Sequence, residues 1–241
     1  MKKFWNIGIW ISGLALMVIL LAFSGNCRQQ TQLSSIDIKV DHHTGLYFVS
    51  EPEIEEILRS EYPYVDSLLC REININLLEE RLDNHPAIRK AEVYSALNGS
   101  LSIEVNQKRP LFRVQNSGRA YYIDETGDSM ALSPHYSAQV PLVTGSISAS
   151  AEAEIFEFFE QIKEDEHFHD FFHGVHVKSN GEWILYPRVG RHTVNLGQPD
   201  KRMAKLQKLQ IFYNRVVNEQ NIDSIKVLNL AYENQVVRTK Y

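Results

Sequence analysis

The sequence is poor in cysteine and has no excess of positive charge. Only Cys27 and Cys70 occur among its 241 residues. Two cysteines are too few for a disulfide framework, so we expect both to be unpaired and the fold to depend on packing. The 25 Lys and Arg residues are outnumbered by 30 Asp and Glu residues, which gives a net charge of −5. Because nucleic-acid binding needs cations that displace counterions, this balance argues against a nucleic-acid partner.

The motifs of common enzyme active sites are also missing. The sequence contains no Gly-x-Ser-x-Gly, no His-Glu-x-x-His and no glycine-rich loop that would bind phosphate. Carboxylate pairs that hydrolyse glycosides meet only in space, so an anchored enzyme acting on cell-wall polymer stays an alternative. We predict a protein that is not an enzyme and has no catalytic residues, no cofactor and no small-molecule substrate.

Four histidines lie close together in the segment HFHDFFHGVH, namely His167, His169, His173 and His176. Histidines three or four residues apart on a helix can share a metal ion. Gly174 interrupts that spacing, and the phenylalanines between the histidines are typical of a packed helix end. The sequence therefore favours a structural segment over a metal site.

One long apolar run is present at Phe4–Asn26, where 23 residues carry no charge. As a helix it would be about 34 Å long, enough to cross a bilayer core of about 30 Å. Lys2 and Lys3 precede it, which favours a cytoplasmic N-terminus. We predict a cytoplasmic stub at residues 1–3, a transmembrane helix at 4–26 and a linker at 27–35. A signal peptide cleaved near Ser24 and a lipoprotein acylated on Cys27 are the alternatives.

The first part of the remaining chain predicts a β-α-α-β-β module at residues 36–108. Residues 36–40 alternate between apolar and polar side chains, as in a half-buried strand. Capping boxes at Ser50-Glu51-Pro52-Glu53 and Asn76-Leu77-Leu78-Glu79 predict the starts of two helices. Residue 93 and residues 101–105 are strand-like, and the Asn98-Gly99 pair between them is typical of a hairpin turn.

The second part, residues 109–241, predicts a mainly antiparallel β domain with two helices. The helices are expected at 151–166 and after a cap at Asp200, because each has apolar residues at helical spacing. Strand-like runs surround them at residues 119–124, 140–143, 175–178, 182–186, 193–196, 225–232 and 235–238. The fold class is therefore α+β.

Residues 76–110, NLLEERLDNHPAIRKAEVYSALNGSLSIEVNQKRP, resemble the core of the POTRA domain in the FtsQ/DivIB family of bacterial cell-division proteins. The resemblance continues downstream in the same order as in the family. It rests on Pro86-Ala87-Ile88, Ala91-Glu92-Val93, Ile123-Asp124-Glu125-Thr126-Gly127, Pro141-Leu142-Val143-Thr144-Gly145 and Asn229-Leu230-Ala231-Tyr232. Ala87 stands where the family has Trp, and Ala231 stands where it has Arg.

The resemblance implies a partner-binding site at the end of the chain. Two terminal strands are expected to lie at a sheet edge, where unpaired backbone groups accept another strand. Similar family members bind the single-span division proteins FtsB and FtsL there. The residues implied here are Tyr232, Asn234, Gln235, Val236, Val237 and Arg238.

The function implied is that of a divisome scaffold in the cell inner membrane, with a periplasmic body located at the division septum. Such a protein recruits and holds septal partners, through the C-terminal edge and through the POTRA domain, and couples division to peptidoglycan synthesis. Besides the cell-wall enzyme, a second alternative to the scaffold is a POTRA protein of outer-membrane protein assembly or translocation. That class would need several POTRA repeats or a membrane barrel.

Overall fold

The computed structural model describes residues 32–42, 45–96, 98–116, 118–216, 222–233 and 235–241. They belong to two compact units, of which one ends at Gln107 and the other begins at Lys108. The predicted stub and transmembrane helix at residues 1–26 lie outside the described residues, as does Cys27. No helix in the described part of the chain is both long and apolar enough to cross a membrane. Cys70, the described cysteine, is free.

The first unit has the β-α-α-β-β order that the sequence predicts. Its three-stranded sheet has the order β1-β3-β2, in which β1 runs parallel to β3 and β2 runs antiparallel to it. Two short 3₁₀ turns, Val65–Ser67 and Cys70–Glu72, connect the helices. The elements are β1 Ser35–Val40, α1 Glu51–Glu61, α2 Ile75–Asp83, β2 Ile88–Ser95 and β3 Ser100–Gln107.

Both helices pack on one face of this sheet because each carries an apolar stripe. Ile54 and Leu58 of α1 and Leu78 and Leu82 of α2 are fully buried. On β3 the alternation of buried and half-buried residues places Leu101, Ile103 and Val105 on the same face. The sequence pattern alone was enough to predict this core.

The predicted helix starts were partly wrong. Ser50 is the N-cap of α1, but its side chain makes no capping hydrogen bond. The second helix begins before the predicted box, because Asn74 is its N-cap and accepts a hydrogen bond from the Leu77 amide at 3.2 Å. Glu79 is therefore not a capping residue, and its carboxylate bonds to a strand instead.

The second unit contains one nine-stranded sheet with the order β12-β11-β10-β9-β8-β7-β4-β5-β6. Among the described strands, five of the eight neighbouring pairs are antiparallel and three are parallel. Two of the parallel pairs, β7-β8 and β10-β11, are each connected by a crossover helix, whereas β5 and β6 lie between β4 and β7 in the chain. The elements are β4 Pro110–Asn116, β5 Arg119–Asp124, β6 Ser129–Met130, β7 Leu142–Gly145, α3 Ala149–Lys163, β8 Phe172–Val177, β9 Trp183–Pro187, β10 Thr193–Gly197, α4 Arg202–Val216, β11 Ile225–Asn229 and β12 Val237–Lys240.

The core of this unit joins α3 and α4 to one face of the sheet. Phe158 of α3 lies 5.7 Å from Trp183 between ring centroids, and both side chains are buried. Phe159 stacks on Phe112 of β4 at 5.3 Å. These aromatic contacts hold α3 against β4 and β9 of the nine-stranded sheet.

The expectation that the histidine-rich segment is a packed helix end as far as Gly174 was wrong, whereas the strand expected from residue 175 is present. The helix α3 ends at Lys163, and β8 contains His173, Gly174 and His176. Gly174 fits beside β7, where an added Cβ would lie 2.9 Å from the Leu142 carbonyl oxygen. Pairing with β7 and β9 therefore determines the conformation here.

Candidate partner-binding edge

The last strand of the chain, β12, is one edge of the nine-stranded sheet. It pairs antiparallel with β11, and Val237, Arg238, Thr239 and Lys240 lie opposite Asn229, Leu228, Val227 and Ile225. All four side chains of β12 are exposed. A strand in this position has one paired side and one open side.

The direction of the β12 amides follows from one hydrogen bond just beyond the strand. The Tyr241 amide donates to the Ser224 carbonyl at 3.3 Å, so it faces β11. Successive amides of a strand alternate in direction, and Thr239 and Val237 therefore also face β11. The amide and carbonyl groups of Arg238 and Lys240 face the open side, where a further strand can pair with them.

Both ends of β12 are held to the unit. Val236, immediately before the strand, is half-buried and packs against the core. At the other end the Tyr241 hydroxyl donates to the Arg191 carbonyl at 3.4 Å, and the Lys226 ammonium lies 5.9 Å from the Tyr241 ring centroid. β12 is therefore held in an extended conformation before a partner binds. The binding of an added strand would not have to order it first.

Tyr232 lies between β11 and β12 and is exposed, so it is not a core residue. It lines a cleft of about 560 Å³ together with Gly197, Ala231 and the lysines of α4. The Lys208 ammonium donates to the carbonyl oxygens of Tyr232 at 2.8 Å and Leu230 at 3.3 Å, which fixes the backbone of this segment.

Most of the charges around this cleft lie on α4 and on the two residues before it. Lys205 donates to the Asp200 carboxylate at 2.7 Å, and this hydrogen bond lowers the pKa of Asp200. Lys201 lies 3.5 Å from the Glu233 carboxylate. Lys208 contacts carbonyl oxygens. Its positive charge therefore faces backbone dipoles at the end of β11.

A second cleft, of about 300 Å³, lies beside the segment that leads into β12. Its lining combines apolar Ile211, Phe212 and Val236 with the cationic Arg215 and with Gln235. Ile211 is 55% exposed although it is a large apolar side chain. The surface next to the edge therefore offers apolar contacts within a basic rim.

The predicted site residues are distributed over this region. Val237 and Arg238 belong to β12, Gln235 and Val236 precede it, and Tyr232 follows β11. Asn234 lies outside the described residues. Thr239 and Lys240 were not predicted as site residues, although β-branched Thr239 is a strand signal; they extend the edge by two residues.

The histidines form no metal centre with one another in the described segment. His176 Nδ1 lies 2.9 Å from the Thr144 hydroxyl, and His173 Nδ1 lies 3.1 Å from the Pro187 carbonyl oxygen. His169 approaches Asp170 at 3.4 Å. Across the described residues, no group of three or more His, Cys, Asp or Glu side chains is arranged to hold a metal ion.

Two family models match the chain, and together they cover almost all of the described residues. A model described as FtsQ/DivIB, C-terminal related, matches residues 109–239, which is more than half of the chain. A model described as a POTRA-like domain matches residues 31–106. No curated protein matches the chain.

Proposed function

The chain belongs to the FtsQ/DivIB family, and from this premise we propose that it is a cell-division scaffold. It holds septal partner proteins on the extracytoplasmic side of the inner membrane and so couples division to peptidoglycan synthesis. The family acts through protein–protein interactions within the division machinery, and the proposed role needs no catalytic step. The apolar run at residues 4–26 would serve as the membrane anchor.

The observation that carries this proposal is the position of β12 at the end of the sheet. Arg238 and Lys240 turn their amide and carbonyl groups outward, and an extended segment of a partner can continue the sheet through them. Backbone pairing supplies affinity without regard to sequence, so side chains beside the edge must supply specificity. The side chains proposed for this role are Tyr232, Gln235 and Val236, which lie between β11 and β12.

The proposed partners are single-span division proteins similar to FtsB and FtsL, each contributing an extended segment. The cleft at Tyr232 and the cleft at Val236 both adjoin the segment between β11 and β12. The apolar residues of the cleft at Val236 suit an apolar side chain of the partner strand, and an exposed aromatic residue such as Tyr232 is a common interface anchor.

Replacing Arg238 by proline tests the proposal directly. The substitution removes an outward amide that β11 does not use, and proline favours an extended residue before it, as Val237 already is. We expect Arg238→Pro to lose co-purification with FtsB- and FtsL-like proteins from membranes. The unfolding temperature should stay within a few degrees of the wild type.

Arg238→Ala is the matched control, because it removes the same side chain and keeps the amide. It should retain most of the partner capture. If the proline variant captures its partners as well as the alanine variant does, strand addition at β12 is wrong. If both variants lose capture equally, the Arg238 side chain and not the backbone carries the contact.

A further inference from the structure

The outer edge of the first sheet is occupied by side chains of the neighbouring helix. The Ala91 amide donates to Asp83 Oδ1 at 2.7 Å, and the Val93 amide donates to Glu79 Oε1 at 2.8 Å. Asp83 and Glu79 are four residues apart on α2, so they lie on the same side of that helix.

These two amides are the ones that a new strand would need. The Ala96 amide donates to Ser100 on the β3 side, so by alternation the amides of Ala91, Val93 and Ser95 face away from β3. Two of these three outward amides are already bonded to carboxylates. A carboxylate bond to an amide is charge-assisted and stronger than a neutral one, so an incoming strand would have to break it.

The side chains of β2 make this edge complementary to itself. Lys90 and Glu92 flank Ala91 on the exposed face and pair with each other at 2.5 Å. In an antiparallel pairing of two chains centred on Ala91, Lys90 of each chain would lie opposite Glu92 of the other. Such a symmetric contact forms one closed dimer, and opposite charges across it stabilise the pairing.

We propose that Glu79 and Asp83 close the β2 edge and thereby prevent this protein from pairing with a second copy of itself. The first unit is then closed to strand addition at β2 by its own helix. This inference concerns the POTRA-like unit alone and does not depend on the role proposed for β12.

The test compares three forms of the full chain in a mild detergent. Glu79→Ala with Asp83→Ala removes both acceptors. Glu79→Gln with Asp83→Asn keeps an acceptor oxygen at each position and removes the charge. Glu80→Ala removes an exposed carboxylate of α2 that bonds to neither amide.

Hydrogen exchange of residues 88–95 and sedimentation velocity are the two measurements. In the double alanine variant we expect exchange at Ala91 and Val93 to be at least about tenfold faster at low protein concentration. Self-association that rises with concentration should accompany it. The Gln/Asn variant keeps weaker, neutral acceptors, so it should lie between the wild type and the double alanine variant in both measurements. Glu80→Ala should match the wild type.

A further substitution tests the register of the pairing. Glu92→Lys, added to the double alanine variant, places Lys90 opposite a lysine and should restore the monomer while exchange stays fast. If the double alanine variant is folded and remains monomeric, or if its exchange is unchanged, the proposal fails. If that variant does not fold, the single variants Asp83→Ala and Glu79→Ala replace it. Each must then speed exchange at its own amide and promote association, or the proposal is overturned.

Discussion

His192 is a buried polar residue immediately before β10. Its Nε2 atom lies 2.6 Å from the Tyr213 hydroxyl of α4, and its Nδ1 atom has no hydrogen-bond partner among the described residues. Burial lowers the pKa of His192 and outweighs the opposing effect of Asp223. The folded protein therefore holds this imidazole neutral at a pH where an unfolded chain would protonate it.

The consequence is a loss of stability in mild acid. The unfolded chain takes up a proton near pH 6.5 and the folded one only at lower pH, so the contribution of His192 is complete above about pH 6.5. Below that pH the free energy of unfolding should fall by up to about 1.4 kcal/mol per pH unit. Denaturant titrations at pH 7.5, 6.5 and 5.5 measure this slope. His192→Gln should flatten it, whereas His135→Gln, at an exposed position, should not; equal slopes in all three proteins would refute the assignment.

Gly145 occupies a position at the end of β7 that tolerates no side chain. Its φ is +102°, and an added Cβ would lie 2.0 Å from the Val177 carbonyl oxygen of β8. Gly145→Ala should therefore lower the free energy of unfolding by about 3 kcal/mol, through backbone strain and overpacking together. Thermal or denaturant melts measure the loss. Gly118→Ala is the control, since its φ is also positive but nothing lies within 4 Å of the added Cβ. A loss of similar size in both variants would show that φ alone is responsible.

At the scale of whole elements, local periodicity predicted most helices and strands. The stripes on α3 and α4 and the alternation on β3 are properties of neighbouring residues, so the sequence displays them. The run at 175–178 predicted the second half of β8, but its first half was taken for a helix end because its aromatic and histidine residues suit either element. The partners of β8 on β7 lie 32 positions earlier in the chain, and a local pattern does not report such a pairing.

The candidate site was predicted in part: its strand was recognised, but not its neighbours in the sheet. The run ending at Arg238 was recognisable as a terminal strand, but its position beside β11 depends on the order of all nine strands. The carboxylates of α2 were not foreseen, because Glu79 resembled a capping residue and its amide partner is 14 residues away. The residues next to Glu79 in the sequence do not indicate a contact so far along the chain.

Lys208 links α4 to the segment between β11 and β12. Lys208→Met keeps the apolar stem and removes the ammonium that holds the carbonyl oxygens of Leu230 and Tyr232. We expect stability to fall by about 1 kcal/mol and the partner of β12 to bind more weakly, because the segment is then less ordered before binding. Hydrogen exchange over residues 230–233 and a binding titration measure the two effects. Gln207→Met, which changes an exposed residue of the same helix, should change neither; unchanged exchange in Lys208→Met would contradict the role of this lysine.

Across the whole molecule, the sheet edges differ in how open they are. Helix α2 closes β2 through two carboxylates, and β6 is only two residues long. Short or covered edges are the usual means by which proteins avoid unwanted pairing. Among the described strands the remaining edges are β12 and β1, and β1 adjoins a cleft of about 330 Å³ whose lining includes Glu55, Arg59 and Asp66. We therefore expect the proposed capture of partners by strand addition at few positions, and β12 is the one whose side chains are all exposed.

A scaffold of the division machinery should be found where division occurs, and its loss should stop septation. We expect a fluorescent fusion of the full chain to form rings at midcell in its bacterial host, and depletion of the protein to produce filaments. The fluorescent domain belongs at the N-terminus, because at Tyr241 it would adjoin β12. In depleted cells the Arg238→Ala form should restore division, whereas Arg238→Pro should not, although both accumulate to the same level. A uniform envelope signal with normal septa after depletion would refute the division role. Rescue by both variants would be consistent with the division role but would show that strand addition at β12 is not needed for it.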